Sequence, residues 1–381
     1  MAVPVLFMIQ HLSHGGTEDH FRDLVSGVDR ARIEPHVIHF NDRDGGVART
    51  LATCPGLKKT FIPVGKAYDA SGLRAIWQVR RYLRRERIAA VVTFHFVADF
   101  IGTLAAWGRS GAAVISSRRD VGFTRTARQL RVGRWLGRGV DRYIAVSEAV
   151  RAAIERDERI APGRTSVIYN GIDFAELDAQ RWDVAAERSR LGIAPDEVLI
   201  GCVANFNPVK GHLTLIEAFA RLRPLCPDVP LRLLLAGDGP LRAAIEAKIS
   251  ALGLAGAVIL VGNSRQVTRE FQMSDVVVLA SETEGFSNSL VQAMALSKPV
   301  VACRVGGNPE AVADEETGLL VAPKDPAALA GALARLVRDP ALRRRLGEAG
   351  QARARECFTR QEMLARTQEL ILSVINVRCG G

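Results

Sequence analysis

The sequence predicts an α/β protein made of two doubly wound, Rossmann-like domains. Short apolar runs typical of buried strands alternate with segments of helical periodicity, and this alternation indicates a parallel sheet covered on both faces. The alternation is interrupted by a polar, weakly patterned stretch near 172–196 and then restarts. The length of 381 residues also fits two domains of roughly 150–200 residues each better than one core.

Apolar runs of strand length recur through the first half of the chain, with helical periodicity between them. The predicted strands are 3–9, 36–40, 60–64, 90–94, 113–117, 143–147 and 166–169. The predicted helices include 18–28, 73–87 and 97–107. This order of strands and helices predicts a parallel sheet for the first domain.

The same alternation restarts in the second half. The predicted strands are 198–203, 231–236, 258–261, 276–280 and 299–302. The predicted helices are 210–225, 240–252, 265–274 and 287–297, followed by an amphipathic tail helix, 359–378. The pattern leaves open which domain the tail helix packs on. Ligands of such sheets bind at the carboxyl ends of the strands, so a cleft between the domains is the expected site.

Composition narrows the class of protein. Hydrophobic residues at 48% and charged residues at 24% are typical of a folded globular protein. No run reaches the roughly 18–20 apolar residues of a membrane-spanning helix. No basic segment precedes the first apolar run, so we expect no signal peptide. The six cysteines form no CxxC pair, which favours reduced thiols in a cytoplasmic protein over disulfides or a cysteine zinc site.

A glycine pair follows the first predicted strand, in the segment 14–18, HGGTE. Gly15 and Gly16 stand at the start of a helix, where backbone N–H groups can approach an anion closely. The segment is not GxGxxG, so the dinucleotide-binding fingerprint is absent. The alternative is a plain turn between strand and helix.

Lys210 lies in the segment 205–212, NFNPVKGH, after the first strand of the second half. It is predicted to begin a helix, where its charge opposes the helix dipole unless it faces a bound anion. The alternative is a solvated surface lysine. Gly237 and Asp238 follow the next strand and could border the same ligand.

The segment 281–292, SETEGFSNSLVQ, gives the strongest signal for a ligand site. An acidic, glycine-bearing loop leads into a helix whose first turn holds Ser287, Asn288 and Ser289. Backbone N–H groups and small polar side chains at such a turn suit a phosphate. Glu284 precedes this turn, and Gln292 lies about one turn further along. The alternative is simple capping of the helix by Ser287.

Six short motifs, taken in order, resemble those of glycosyltransferase family 4, and together they cover nearly the whole chain. They are GGxE at 15–18, NGID at 170–173, KG at 210–211, GDG at 237–239, EGF at 284–286 and GGxxE at 306–310. The resemblance implies a GT-B fold, in which two Rossmann-like domains face a central cleft. It also implies an acceptor-binding domain, 1–172, a nucleotide-sugar-binding domain, 173–358, and a final helix, 359–381, that crosses back to the first domain.

The resemblance implies a retaining transfer from a nucleotide-diphosphate sugar, with no cofactor and no metal ion. Lys210 would neutralise the donor diphosphate, and Glu284 would contact the sugar near the reacting centre. The implied donor-binding residues are Gly15, Gly16, Asn205, Lys210, Gly237, Asp238, Asn263, Glu284, Gly285, Phe286, Ser287, Asn288, Ser289 and Gln292. A DxD string at 42–44, the metal-binding signature of the other glycosyltransferase fold, is interpreted as a turn.

The chain departs from the family pattern at three places. Gln292 replaces the second acid of the Glu-x7-Glu pattern, and Asn205 stands where the family often has arginine. Arg118 and Arg119 stand where many members have a histidine. His95, after the fourth strand, is the candidate catalytic replacement, and the two arginines are candidates for binding an anionic acceptor. The alternative for His95 is a buried imidazole that is satisfied by the backbone.

These departures keep other functions open. A nucleotide-sugar-binding pseudoenzyme or partner subunit would tolerate the loss of the acid, the arginine and the histidine. A nucleotide-sugar epimerase shares the two-domain fold, although the motifs at Lys210 and Glu284 match transferases better. A nicotinamide-dependent enzyme is least favoured, because no GxGxxG follows any strand.

The net charge of +10 lies mainly in the first half, where residues 1–180 carry 27 Lys and Arg against 19 Asp and Glu. Two arginine clusters surround Trp77 and Trp135, and they comprise Arg74, Arg80, Arg81, Arg84, Arg85 and Arg87, then Arg125, Arg128, Arg131, Arg134 and Arg138. Such segments suit an anionic membrane surface, and a lipid-linked acceptor on the cytoplasmic face of the membrane would explain both clusters. The resemblance to family 4 implies a glycan or polyprenol-linked acceptor in polysaccharide or cell-envelope glycan synthesis. Solvated helix faces are the alternative, and we expect no nucleic-acid partner because no such motif occurs.

Overall fold

The protein divides into two compact units. The computed structural model describes residues 2–13, 15–41, 46–108, 111–122, 126–264 and 266–379. Unit 1 comprises Met1–Asn170 and Arg360–Gly381, and unit 2 comprises Gly171–Thr359. Three residues or strings named above, His14, the 42–44 string and Arg125, lie outside the described part.

Unit 1 is built on a parallel sheet. Its strands are β1 (Val3–His11), β2 (Ile33–Asn41), β3 (Lys58–Phe61), β4 (Ala90–Phe94), β5 (Ala113–Arg118), β6 (Arg142–Ala145) and β7 (Thr165–Val167). Its helices up to residue 170 are α1 (Gly16–Gly27), α2 (Gly46–Ala52), α3 (Ala70–Arg85), α4 (His95–Ala106), α5 (Ala127–Leu136) and α6 (Glu148–Glu158). The strand order is β3-β2-β1-β4-β5-β6-β7.

The central strands of unit 1 are apolar on both faces, because helices cover the sheet on both sides. Residues 5–9 of β1 are fully buried, and so is most of β4. The edge strand β3 differs, since Lys58 and Lys59 are exposed. Polar residues are common on edge strands, where they discourage pairing with other chains. They also explain why the predicted strand 60–64 began too late.

Unit 2 repeats the architecture with a second parallel sheet. Its strands are β8 (Val198–Val203), β9 (Leu231–Ala236), β10 (Val258–Gly262), β11 (Val276–Leu279), β12 (Val300–Cys303) and β13 (Leu319–Val321). Its helices are α7 (Phe174–Ala179), α8 (Val184–Arg190), α9 (His212–Leu225), α10 (Arg242–Ala251), α11 (Val267–Met273), α12 (Asn288–Ala295), α13 (Asn308–Ala311), α14 (Pro326–Arg338) and α15 (Pro340–Cys357). The strand order is β10-β9-β8-β11-β12-β13.

The last helix, α16 (Arg360–Cys379), belongs to unit 1. It places Met363, Ile371, Val374 and Ile375 in the core that also contains β1 and α1. The backbone N–H of Asp29 donates to a Gln368 side chain 2.5 Å away and so ties the helix to the end of α1. The tail helix therefore packs on the first unit, which the sequence pattern alone left open.

The interruption near 172–196, to which the sequence pattern assigned no element, contains regular structure. It contains α7 and α8, whose first turns are capped by the side chains of Asp173 and Asp183. Helices of six and seven residues are too short to show a helical period, so the pattern missed them. The strand β13 and the helices α14 and α15 were also missed. None of the described helices is both long and apolar enough to cross a bilayer.

Candidate active site

Each sheet has a point where the strand order reverses, between β1 and β4 in unit 1 and between β8 and β11 in unit 2. Loops that leave adjacent strands in opposite directions open a crevice there, and ligands of such sheets bind in it. In unit 2 the segment with Lys210 follows β8, and the segment with Glu284 follows β11. In unit 1, β1 ends at His11 and His95 follows β4. The candidate residues therefore gather at the two reversal points.

Lys210 does not begin a helix, contrary to the sequence prediction. It ends a single 3-10 turn, Pro208–Lys210, and α9 starts only after Gly211. Gly211 has a φ of 65°, and a Cβ there would lie 2.0 Å from the carbonyl oxygen of Ala280. Only glycine fits this conformation and this approach. The turn therefore packs directly against the end of β11 and brings Lys210 to the loop that carries Glu284.

The Lys210 ammonium and the Glu284 carboxylate form an ion pair, with Nζ 2.6 Å from Oε1. The Ser281 hydroxyl donates to the same oxygen over 2.7 Å. Glu284 is buried, whereas 26% of the Lys210 side chain is exposed. The backbone of Gly306 packs so closely on Glu284 that a Cβ would meet its carbonyl oxygen at 1.6 Å. Two side chains therefore hold the carboxylate and Gly306 holds the backbone of the same residue, while the ammonium keeps access to solvent.

The helix α12 begins beside this ion pair. Ser287 is its N-cap and accepts a hydrogen bond from the Leu290 backbone N–H. The Ser289 hydroxyl donates to the Val203 carbonyl at the end of β8, 3.0 Å away. Ser287 thus caps the helix as the alternative interpretation stated, and the same first turn still presents Asn288 and Ser289 at the reversal point. An N-terminal turn at this place suits an anion.

Other predicted donor residues surround the ends of β8, β9, β10 and α12. Gly237 and Asp238 follow β9, where the Asp238 carbonyl accepts from the backbone of Phe206. The exposed residues Asn205 and Asn263 follow β8 and β10. Gly285 and Phe286 are buried before α12, and Gln292 is half-buried on that helix. The structure thus brings the unit 2 residues of the predicted set to one edge of the sheet, and their roles stay predictions.

The other predicted residues lie in unit 1. Gly15 is the N-cap of α1 and Gly16 its first residue. His95 begins α4 with a φ of 69°, a region that side-chain-bearing residues rarely adopt. Its Nε2 lies 3.9 Å from Oε1 of Glu18, and His11 Nδ1 lies 3.1 Å from the same oxygen. Glu18 and both imidazoles therefore form one cluster, which we call the histidine–glutamate cluster.

Burial and the contacts within the histidine–glutamate cluster together set the protonation states of Glu18 and His95. Burial lowers the pKa of His95, and the carboxylate of Glu18 only partly opposes this shift. Burial alone would raise the pKa of Glu18, but the hydrogen bond with His11 and the attraction of His95 hold it below its usual value. At neutral pH the cluster therefore contains an ionised Glu18 and a neutral His95.

A cavity of about 250 Å³ opens beside this cluster. It is lined by Gln10, His11, His95, Phe96, Ser117, Arg118, Arg119, Asp120 and Gln129. Arg119 donates to the Asn170 side chain, while its Nη1 is buried without a hydrogen-bond partner among the described residues. Burial lowers the pKa of Arg119 to about 9, so the guanidinium stays charged at neutral pH. This unsatisfied charge keeps Arg119 a candidate for binding an anion.

Arg118 is not available in the way the sequence interpretation assumed. It is almost completely buried and forms ion pairs with Asp99 and with Glu158, whose Oε2 lies 2.9 Å from Nη2. The hydroxyls of Thr93 and Ser116 each donate to Asp99 over 2.6 Å. Two carboxylates therefore compensate its charge, and we correct its assignment from acceptor binding to an internal ion-pair network.

Sequence reasoning missed His11 as a member of the histidine–glutamate cluster and Ser281 as a hydrogen-bond partner of Glu284. His11 ends β1 after the apolar residues 3–9 and Gln10, and Ser281 follows β11 after Ala280. A polar residue at the carboxyl end of a buried strand was the signal that could have identified both. Their partners, however, come from other elements, which no local pattern indicates.

Two family models match this chain. Residues 14–176 match the model described as Glycosyltransferase Family 4, and residues 183–353 match the model described as Glycosyl transferases group 1. Together they span both units on either side of the division.

Curated relatives match part of the chain. N-acetyl-alpha-D-glucosaminyl L-malate synthase of Bacillus anthracis is 28% identical over 62% of this chain and 61% of its own length. D-inositol 3-phosphate glycosyltransferase of Corynebacterium glutamicum is 37% identical over 51% of this chain and 48% of its own length. The chain thus spans about half to three fifths of the length of these relatives.

A solved structure matches almost the whole chain. Anabaena HepE in complex with UDP-glucose superposes with a TM-score of 0.85 and 24% identity, over 97% of this chain and 99% of that one. This similarity shows a shared GT-B fold and confirms the predicted fold class.

Proposed function

Since this chain belongs to glycosyltransferase family 4, among the group 1 glycosyl transferases, we propose that it moves a sugar from a nucleotide-diphosphate donor to a glycan or lipid-linked acceptor. The observation that carries the proposal is the ion pair of Lys210 with Glu284 beside the first turn of α12. The names of the relatives and the UDP-glucose bound to HepE support the donor class.

In the proposed reaction, unit 2 binds the donor. When the bond between sugar and diphosphate breaks, negative charge grows on the leaving phosphate and positive charge on the sugar ring. The ammonium of Lys210 and the N-terminal turn of α12 would stabilise the phosphate, as preorganised donors do. Before the donor binds, Glu284 would hold Lys210 in place. When the donor is bound, Glu284 would face its sugar.

We further propose that the transfer retains the configuration of the sugar and needs no metal ion at the diphosphate. One cation and one helix N-terminus supply positive charge at the place where a metal would otherwise be required. The leaving phosphate would accept the proton of the acceptor hydroxyl on the same face of the ring. Gln292 can still donate and accept hydrogen bonds, so its replacement of an acid is compatible with donor binding.

The donor proposal can be tested by thermal unfolding with UDP-, GDP-, ADP-, dTDP- and CMP-sugars, each with and without EDTA. We expect one nucleotide class to raise the melting temperature. At a donor concentration of 100 times its Kd, binding should stabilise the folded protein by about 2.7 kcal/mol. EDTA should leave this shift in melting temperature unchanged. Loss of the shift with EDTA would contradict metal-free donor binding. No shift with any donor would contradict the donor proposal.

Turnover separates the remaining candidates. A shift without sugar transfer to any acceptor would favour the nucleotide-sugar-binding pseudoenzyme, which Asn205 and Gln292 leave open. Conversion of the donor sugar without an acceptor would favour the epimerase.

We propose that unit 1 binds the acceptor. If the acceptor is lipid-linked, we propose that unit 1 binds the cytoplasmic face of an anionic membrane. Trp77 on α3 is 61% exposed and Trp135 on α5 is 46% exposed, and both helices pack against α4. The Arg81 guanidinium lies 5.7 Å from the Trp77 ring centre. Exposed tryptophans among arginines suit the boundary between anionic head groups and acyl chains. Arg119 would bind an anionic group of the acceptor.

We expect the protein to float with vesicles of phosphatidylcholine and phosphatidylglycerol, and not with phosphatidylcholine alone. The double change Trp77→Ala with Leu73→Ala should reduce flotation, because it removes two exposed apolar side chains of α3. High salt should also reduce it, because salt screens the arginines. Leu252→Ala, at an exposed apolar position of unit 2, is the matched control. Equal binding to both vesicle types, or none, would remove the membrane proposal.

A further inference from the structure

We propose that His11, Glu18 and His95 together bind one zinc ion in unit 1. Its three residues belong to unit 1, and the proposal does not depend on the proposal of sugar transfer. It concerns these three side chains and not the ion pair of Lys210 with Glu284, which is proposed to face the diphosphate without a metal ion.

Three different elements supply the ligands. His11 ends β1, Glu18 lies in the first turn of α1, and His95 begins α4. The reversal of the strand order between β1 and β4 brings these element ends together. His11 and Glu18 flank the turn from β1 to α1, whereas His95 reaches them only because the sheet order places β4 beside β1.

The three donor atoms lie close enough for one ion. Each side chain offers one atom, and all three atoms lie within 4.8 Å of one another. Oε1 of Glu18 is 3.1 Å from His11 Nδ1 and 3.9 Å from His95 Nε2. Ligands of a tetrahedral zinc ion are about 3.3 Å apart, given metal–ligand distances near 2.0 Å. The first pair already meets this spacing, and rotation of the partly exposed imidazoles would close the rest.

The chemistry of the donor set favours zinc over magnesium. Two imidazole nitrogens and one carboxylate oxygen form a ligand set found in zinc enzymes, whereas magnesium prefers oxygen ligands alone. Three protein ligands leave a fourth position for water or for an oxygen of a bound molecule. His11 and His95 also line the 250 Å³ cavity, which provides an entry path.

Two local features hold the cluster in this arrangement. A Cβ at Gly15 would lie 2.3 Å from Oε2 of Glu18, so the glycine leaves room for the inward position of that carboxylate. His95 takes its place with a φ of 69°, a strained conformation that is common at functional sites. The Nδ1 of His95 is buried without a partner among the described residues. The Ser13 hydroxyl forms a hydrogen bond of 2.8 Å with His11 Nδ1, which zinc binding at this nitrogen would replace.

The test is equilibrium dialysis of the full chain against Zn²⁺, with metal measured by mass spectrometry. We expect one zinc per chain in the wild type. Glu18→Gln and His95→Ala should each weaken binding by more than the roughly 10–100-fold seen when only the residues that support a ligand are changed. Glu369→Gln and His39→Ala, in the same unit and outside the cluster, should bind as the wild type does. Zinc should raise the unfolding temperature of the wild type, and Mg²⁺ should not.

Spectroscopy supplies a readout that does not depend on activity or on the stability of the variants. Co²⁺ bound by nitrogen and oxygen ligands in four-coordinate geometry should give visible absorption bands, which Glu18→Gln should abolish. The proposal is overturned if the wild type and Glu18→Gln bind zinc equally. It is also overturned if the wild type takes up no zinc, in which case the cluster is a hydrogen-bonded pair of histidines around a carboxylate.

Discussion

Lys210→Ala is expected to lower the turnover number by about 100-fold or more, because removal of one preorganised charge donor costs about 10²–10³ in rate. The ammonium lies 2.6 Å from Glu284 and beside the first turn of α12. In the proposed reaction its charge matters most when the phosphate departs. The effect should therefore appear in the turnover number more than in KM. Steady-state kinetics with the donor found by thermal unfolding measures both.

Two variants control this experiment. Lys248→Ala removes a surface lysine that pairs with Glu217, and it should leave the turnover number near that of the wild type. The double variant Lys210→Met with Glu284→Gln removes both charges, so no carboxylate is left unpaired. It should be as stable as the wild type within about 1 kcal/mol and still nearly inactive. Turnover of Lys210→Ala close to the wild type would rule out the proposed role of Lys210.

Arg118→Met is expected to lower the free energy of unfolding by roughly 3–5 kcal/mol, because breaking a buried ion pair leaves an uncompensated buried charge. Here two carboxylates, Asp99 and Glu158, would lose their partner. Methionine keeps most of the volume of the side chain, so the change tests charge more than packing. Urea unfolding followed by tryptophan fluorescence measures it well, since three of the four tryptophans, at 77, 107 and 135, lie in unit 1.

Arg156→Met is the matched control for this substitution. Arg156 pairs with Asp157 at a distance of 2.8 Å, but 71% of its side chain is exposed to solvent. An exposed pair contributes about 0–1 kcal/mol, so this variant should unfold almost as the wild type does. If Arg118→Met loses no more stability than Arg156→Met, the buried network does not stabilise unit 1.

Three of the strands that are buried on both faces were predicted with their correct ends. Residues 90–94, 198–203 and 231–236 are mainly apolar runs, and each forms a strand with the predicted bounds. Such runs occur because helices cover both faces of the sheet, so burial leaves an unambiguous pattern. At the sheet edge and in the short helices after Asn170 burial is partial, and the same pattern is lost.

The sequence identified Lys210 and Glu284 as separate motifs but could not show that they form an ion pair, since they stand 74 positions apart. The opposite holds for Arg118, which the sequence suggested as a residue that binds an anionic acceptor. Its partners Asp99 and Glu158 stand 19 and 40 residues away, on α4 and α6. A charged residue in a sequence indicates a binding function only if no counter-ion of the protein compensates it. Which counter-ions it meets depends on the sheet order, which a local motif does not reveal.

The position of α16 has a consequence for how the protein is made. Unit 2 is complete once residue 359 has been synthesised, whereas the core of unit 1 still lacks Met363, Ile371, Val374 and Ile375. Domains usually fold in the order in which they leave the ribosome. Here the unit that is translated first must wait for the segment that follows unit 2, so the apolar surface that α16 covers stays exposed until α16 has been synthesised.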